Sequence, residues 1–521
     1  MTKVKKGKRQ RAYRPKTQSG CLTCKVRRVK CDEGVPACLR CTSTGRTCDG
    51  YAHTTTPTVQ ESILQGPSLE IQGCPRTKRS FSYFVQRACS QLAGFFGSDF
   101  WERLILQAAY HEPAVRHAIV AIGSRHELAV QRAAKIDAVG VFSLGQYNIA
   151  IKHLLNPATD KGQRSVDIYL ILSILFACFE SVQGNHASAI THIQSGVKLL
   201  RETVYDQGTG VFHHQLFGAT NRTNSYASFE DYAKIFAFQD SQASRMIGDY
   251  QRPLVESAPL YADQIYGNSP LSFSSINEAK SIFEQGACLF SGTLDAKLSE
   301  NSVQLPHAPM ELQRSHLANL MSKFYRAVQE LIRLKEPCFT PKEELAAAVL
   351  QLNVLVTWIS FEIELRSPDA SWDIFMPRLE ETVFLGEKIV SFLSSGDNNN
   401  EEGNSFCPES GYIIPMYAVA SNTRDLGIRR RAIAVLRSVS RQEGLWNTHQ
   451  VAKAAERIIE IEERKAREAI SRAEGSAPAA LQLFSSRPLL KIDAKGGRLH
   501  YTRNTLDEHS PREVIEEVFV W

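Results

Sequence analysis

The chain has 521 residues, 43% apolar and 22% charged, a length that gives a prior of two or three domains and a composition of ordinary globular type. That excludes a mostly disordered chain, a collagen-like repeat and a disulfide-stapled mini-protein. The net charge of +6 is unevenly placed: residues 1–50 carry 14 Lys+Arg against Asp32, Glu33 and Asp49, while the remainder is mildly acidic. This is the pattern of a polyanion-binding arm on an acidic body.

Residues 1–20 hold Lys3, Lys5, Lys6, Lys8, Arg9, Arg11, Arg14 and Lys16 and no acid. Such a block cannot bury a core and is expected to be a basic disordered arm, suited to nuclear import and to phosphate contact. It has no apolar core of the kind a signal peptide needs. Without export the cysteines are read as thiols or metal ligands rather than as disulfides.

Residues 21–48 contain six of the twelve cysteines: Cys21, Cys24, Cys31, Cys38, Cys41 and Cys48. CLTCKVRRVKC and CLRCTSTGRTC both read C-x2-C-x6-C. A C-x2-C pair can grip one metal from a tight turn, and the third cysteine is expected to return after about two helical turns. Two tetrahedral Zn2+ ions need eight ligand positions, so two sulfurs must bridge, and Cys21 and Cys38 are the symmetric choice. Lys25, Arg27, Arg28 and Lys30 lie between the ligands and favour thiolates. A single zinc on Cys21, Cys24, Cys38 and Cys41 is the competing reading. It leaves Cys31 and Cys48 unused although their spacings match.

This cluster resembles the fungal C6 binuclear zinc-cluster transcription factors, with no spacing violation from residue 21 to residue 48 and with Pro36 where that family places a loop proline. The resemblance implies two short helices around two zinc ions, the first of them entering the DNA major groove. It puts Arg27 and Arg28 where the family reads CGG triplets, with Arg28 the expected base reader, and leaves Lys25 and Lys30 to hold phosphate.

Residues 49–78 have linker composition, with TTTPT, QGPS and GCPR, and show no sustained heptad for a coiled coil. From residue 79 the pattern is helical. Phe81, Phe84, Val85, Ala88, Cys89 and Leu92 follow a helical stripe. Asp99 is placed to cap a helix carrying Trp101, Leu104, Ile105 and Ala108, and Pro113 opens the next. The apolar run Ile168–Phe179 is shorter than a membrane span and reads as a buried core helix. Thr340-Pro341-Lys342-Glu343 reads as a capping box ahead of a long apolar helix through Trp358, and Asp397–Asn400 as a loop. The remaining cysteines, Cys74, Cys89, Cys178, Cys288, Cys338 and Cys407, read as small buried hydrophobes. FWERLILQAAYHEPAVRHAIVAIGSRHE, FESVQGNHASAITHIQSGVKLL and GIRRRAIAVLRSVSRQEGLW resemble the helical regulatory region of the same fungal factors. PLLKIDAKGGRLHYTR reads as two short strands around Gly496-Gly497, with EEVFVW a third strand in preference to an acidic activation segment.

Catalytic signatures do not assemble. Gly208-Thr209-Gly210 lacks the third glycine of a dinucleotide loop, His126-Glu127 lacks the second zincin histidine, and His213-His214 reads as a solvated pair in a loop. The expected organisation is mainly α: arm 1–20, zinc-cluster module 21–48, linker 49–78, helical regulatory domain 79–470, and linker with a hairpin-like segment 471–521. The expected function is a nuclear, sequence-specific, DNA-binding regulator of RNA polymerase II genes and not an enzyme. Its expected partners are double-stranded DNA and the transcription machinery or co-regulators, a homodimer being admissible and a membrane not expected. The alternative is a helical scaffold whose zinc module grips protein or RNA. The cation asymmetry between KVRRVK and TSTGRT favours a polyanion facing one half only.

Overall fold

The cysteine repeat and the helical body form, in the computed structural model, two separate contact units, Met1–Glu70 and Ile71–Trp521. The structure describes residues 19–51, 71–131, 136–155, 165–206, 208–209, 211–220, 225–247, 271–284, 310–366, 371–395, 405–472, 489–492, 496–503 and 513–520. Most of the basic arm, the centre of the expected linker, Cys288 and Asp397–Asn400 lie outside these residues.

In the first unit each half of the repeat makes one short helix, α1 at Leu22–Val26 and α2 at Leu39–Thr42. The second unit begins with α3 at Pro75–Tyr83, inside the stretch read as linker, with Cys74 at its N-cap and Pro75 in its first turn. A π-helical turn at Phe84–Ala88 leads into α4 at Cys89–Leu92. A second π-helical turn, Phe100–Leu104, leads into α5 at Ile105–His111. Asp99 precedes it in helical conformation and makes no side-chain cap bond. Its carboxylate instead accepts from Arg103 Nε one turn on, at 3.0 Å. An arginine four residues along a helix competes directly with the backbone N–H groups for a flexible carboxylate.

Four helices then stack in chain order: α6 at Pro113–Gln131, α7 at Ile136–Leu155, α8 at Val166–Val182 and α9 at His186–Arg201. The pairs α6 with α7, α6 with α8 and α8 with α9 pack together, and α3 lies on α6. The run Ile168–Phe179 sits in α8 as expected, and nearly all of its residues are buried. A small antiparallel sheet follows, β1 at Val204–Asp206, β2 at Val211–His214 and β3 at Phe217–Thr220. Gly208 and Thr209 form its first turn, their N–H and hydroxyl donating to the Asp206 carboxylate at 2.9 and 2.7 Å. His213 and His214 are therefore strand residues rather than a loop pair. His214 is buried, with Nε2 3.3 Å from Glu202 Oε2.

Helix α10, Phe229–Ile247, packs on α9, and residues 276–284 are also helical. Two 26-residue helices, α11 at Met310–Lys335 and α12 at Pro341–Arg366, pair with each other, and α13 at Met376–Ser395 packs on α12. The capping box forms at the start of α12: Thr340 N–H donates to Glu343 Oε2 at 2.9 Å, and Glu343 N–H to Thr340 Oγ1 at 3.3 Å. Among the described residues one helix, Pro341–Ile363, is long and apolar enough to cross a membrane, and 67% of its apolar window is buried within the bundle.

Helices α14 at Ile413–Asn422, α15 at Leu426–Ser438 and α16 at Thr448–Arg472 close the bundle. Between them lies a mixed sheet: β4 at Ser405–Cys407 runs parallel to β5 at Arg441–Glu443, and β6 at Trp446–Asn447 is antiparallel to β5. Glu443 is completely buried. Its carboxylate accepts the N–H groups of Gly411, Tyr412 and Ile413 at 2.8, 3.3 and 3.1 Å, holding the start of α14, and pairs with Arg441 Nε at 3.1 Å. The Arg441 guanidinium also lies 4.4 Å over the Phe95 ring. A buried charge persists when its partners are fixed in this way. The C-terminal segment is a three-stranded antiparallel sheet, β7 at Leu489–Ile492, β8 at Gly496–Arg503 and β9 at Glu513–Val520. Gly496 and Gly497 open β8 rather than forming its turn. Of the scattered cysteines, Cys89, Cys178 and Cys407 are buried, whereas Cys74 and Cys338 are exposed.

Candidate metal centre

The two halves of the repeat fold alike at an offset of 17 residues. Cys21 and Cys38 are the N-cap residues of α1 and α2. Both helices end in the same way. Arg28 N–H donates to the Lys25 carbonyl and Val29 N–H to that of Cys24, each at 3.1 Å; Gly45 N–H donates to Thr42 at 3.1 Å and Arg46 N–H to Cys41 at 3.0 Å. This paired bonding is a Schellman exit, which needs a left-handed residue at its corner. That residue is Arg28 in the first half, with φ 56°, and Gly45 in the second, with φ 63°.

The expected return of Cys31 after two helical turns is therefore corrected. Helix α1 stops at Val26, Arg27 caps it, and Arg28 has left it. Seven helical residues would carry Cys31 about 10.5 Å along the axis. A thiol meant for the same metal as Cys24 must come much closer, so the chain has to turn back.

The sulfurs converge as a metal cluster requires. Cys21, Cys24, Cys31 and Cys38 form one set and Cys21, Cys38, Cys41 and Cys48 another, with all Sγ atoms in each set within 4.8 Å of one another. The sets share Cys21 and Cys38. Tetrahedral zinc with bonds of about 2.3 Å places its sulfurs about 3.8 Å apart. The Sγ separations are 3.6 Å for Cys21–Cys38, 3.7 Å for Cys24–Cys38 and 3.8 Å for Cys21–Cys41. Soft thiolates at this spacing suit zinc and exclude a hard, oxygen-seeking cation.

Burial raises the thiols of Cys21, Cys24 and Cys38 above their ordinary range. Burial would raise Cys31 too, but the N–H groups of Cys21 and Glu33 outweigh it and bring that thiol to about 6. Cys48 is lowered by the N–H groups of Cys38 and Gly50. Metal binding therefore has to displace protons chiefly from the inner thiols.

Three residues of the centre escaped the sequence reading. Asp32 accepts Leu39 N–H at 2.8 Å and Arg40 N–H at 2.9 Å, which holds the start of α2 and keeps its own carboxyl below the ordinary range. Asp49, its equivalent, meets the start of α1: Thr23 Oγ1 donates to Asp49 Oδ2 at 2.8 Å and accepts Asp49 N–H at 3.0 Å. Tyr51 packs on the thiols and donates to the Gly34 carbonyl at 2.8 Å. The signal for the aspartates was present, since each third cysteine is followed by Asp.

Lys25, Arg28 and Lys30 are exposed and Arg27 is half-buried, its Nη1 3.5 Å from Thr44 Oγ1. The positions equivalent to these four in the second half are Thr42, Thr44, Gly45 and Thr47. Between its second and third cysteines the first half thus presents four cations, whereas the second presents Arg46 alone, with Arg40 exposed just before Cys41.

Residues 19–57 match the fungal Zn(2)-Cys(6) binuclear cluster domain, and residues 79–362 match the fungal specific transcription factor domain. The aspercryptin biosynthesis cluster-specific transcription regulator atnN of Emericella nidulans is 30% identical over 218 residues, 36% of this chain and 35% of that protein. Transcription regulator lscL of Purpureocillium lilacinum is 28% identical over 204 residues, 35% of this chain and 48% of that protein. Transcriptional regulatory protein moc3 of Schizosaccharomyces pombe is 43% identical over 56 residues, 11% of each chain. The chain thus spans between a third and a half of the length of the first two relatives. No solved structure matches it. With a zinc-binding cysteine cluster ahead of a regulatory region that matches over more than half of its residues, the chain belongs to the fungal zinc-cluster transcription factors.

Proposed function

We propose that the chain is a nuclear, sequence-specific DNA-binding regulator of RNA polymerase II genes that reads CGG-type triplets through a cluster of two Zn2+ ions. Cys24 and Cys31 hold one ion and Cys41 and Cys48 the other, with Cys21 and Cys38 bridging. The zinc fixes two helices that are too short to persist alone. The observation that carries the reading is the pair of four-thiol sets sharing Cys21 and Cys38, with cations concentrated on the first half, where Lys25, Arg28 and Lys30 are exposed and Arg27 is half-buried.

Arg28 is the base reader. It projects from the helix end, where arginine can donate two hydrogen bonds to guanine O6 and N7. Arg27 lies against Thr44 and, with Lys25 and Lys30, serves the phosphates. The arm at residues 1–20 adds phosphate contact and directs import, and the helical body engages the transcription machinery or co-regulators. The test is binding of Arg27→Ala and Arg28→Ala chains to CGG-bearing and scrambled duplexes across a salt series. Arg28→Ala should cost about 1–3 kcal/mol on CGG and relax the preference, while Arg27→Ala should weaken both duplexes alike and flatten the salt slope by about one unit. If both variants keep the wild-type ratio between duplexes, this surface is not the reader.

A further inference from the structure

The halves are locked to each other by a contact that the metal spacing alone does not demand. The aspartate after the third cysteine of each half reaches the opening turn of the opposite helix. Asp32, after Cys31, bonds Leu39 N–H and Arg40 N–H; Asp49, after Cys48, bonds Thr23 in both directions, and the next residue's carbonyl, that of Gly50, accepts Leu22 N–H at 2.9 Å. The helix openings gripped in this way directly follow Cys21 and Cys38, the sulfurs common to both thiol sets.

We propose that Asp32 and Asp49 are positioning residues that clasp the two bridging cysteines and so make retention of the two zinc ions a single event. This rests on the two-zinc reading above. Each aspartate belongs to one half and fixes a cysteine serving both metals. Loosening either clasp therefore moves a ligand of both ions, not of one. Neighbours that orient first ligands typically change metal affinity by about 10–100-fold when removed.

The two clasps differ chemically. Asp32 faces two backbone N–H donors and needs two acceptor oxygens, so Asp32→Asn sets an amide N–H2 against a backbone N–H. Asp49 faces a hydroxyl, which can reverse and accept from an amide while donating to the Thr47 carbonyl, 3.4 Å away. Asp49→Asn should be tolerated where Asp32→Asn is not. A role resting on negative charge alone would respond equally at both positions.

The experiment loads the full chain with zinc and follows its release to excess chelator with a colorimetric zinc indicator. Asp32→Ala, Asp32→Asn and Asp49→Ala should each release all of the zinc in one phase, about 10-fold faster than wild type. Asp49→Asn should stay within about twofold of wild type, as should Glu33→Gln, which removes a neighbouring charge that touches neither helix. Wild-type rates in all three disruptive variants would overturn the clasp. Acceleration of only half of the zinc, or equal effects of Asn at 32 and 49, would overturn the coupling or its hydrogen-bond origin. A wild-type chain that holds one zinc, or none, would overturn the two-zinc reading itself. Two zinc ions in the wild type with unaffected variants would leave that reading standing and remove only the clasp.

Discussion

Replacing Gly45 by alanine isolates the backbone cost of the turn that brings the third cysteine back to its metal. Gly45 has φ 63°, and a Cβ built on it meets no atom within 4 Å. The substitution therefore adds no clash and only places an L-residue in left-handed conformation. That conformation costs about 1–2 kcal/mol, from which glycine's greater freedom in the unfolded chain takes back about 0.5–1 kcal/mol. The net loss is about 1 kcal/mol, or roughly fivefold in affinity. Arg28 occupies the same corner of the first half with φ 56°, so Arg28→Gly should gain a similar amount over Arg28→Ala, which lacks the same charge. Because folding of so small a module and zinc binding are one equilibrium, the assay is competition of the full chain with a chelator of known zinc affinity. Gly45→Ala should hold zinc about fivefold less tightly than wild type, and Arg28→Gly about fivefold more tightly than Arg28→Ala, two variants that lack the same cation. Unchanged zinc affinity in Gly45→Ala, or zinc no tighter in Arg28→Gly than in Arg28→Ala, would refute the shared left-handed corner as a source of strain.

In the body, burial lowers the His126 imidazole to about 4, and neither ring nitrogen has a hydrogen-bond partner among the described residues. A folded-state value below the unfolded 6.5 means stability is present above 6.5 and lost as pH falls toward 4, by on the order of 3 kcal/mol. Asp167, raised by burial to about 6, acts in the opposite sense. The difference in thermal stability between wild type and His126→Phe across that pH range isolates the histidine, and a constant difference would contradict its burial as a neutral ring. Glu443→Gln breaks a buried ion pair and the three-fold capping of α14, and should cost about 3–5 kcal/mol in unfolding of the body, read by the loss of helical circular dichroism with denaturant. Gly196→Ala builds a Cβ 2.1 Å from Phe236 Cε1 where α9 meets α10. It should cost about 1–3 kcal/mol by the same measurement, and a neutral result would mean that this contact is loose.

The cysteine spacing was legible because metal ligands impose distances that no tertiary context can override, and the shared pair Cys21 and Cys38 followed from counting ligands. The path between ligands was not. Angular periodicity returns Cys31 to the face of Cys24, but the rise along the helix carries it out of reach, and that second constraint ends α1 at Val26. The aspartates at 32 and 49 extend the repeat visibly, yet only the fold shows that each crosses to the other half. The long helices were readable from period and capping, as at Thr340 and Pro341, because those signals are local. The sheet of β4 and β5 was not readable, since Ser405–Cys407 and Arg441–Glu443 are three-residue strands paired in parallel far apart in the chain. Nothing local marks Glu443 as buried either, for its solvation is replaced by N–H groups some 30 residues away in sequence. The C-terminal strands were legible from alternation, although Gly496 and Gly497 lie in a strand and not in the turn.

The most direct test of the account is the affinity of the full chain for a duplex carrying CGG triplets and for a scrambled duplex of equal length, at several salt concentrations, before and after removal of zinc by a chelator. A zinc-held reader gives a clear preference for the CGG duplex, affinity for both duplexes falling as salt rises, and loss of the preference on chelation with recovery when zinc is restored. Equal affinity for the two duplexes, or a preference that survives complete removal of zinc, would contradict it.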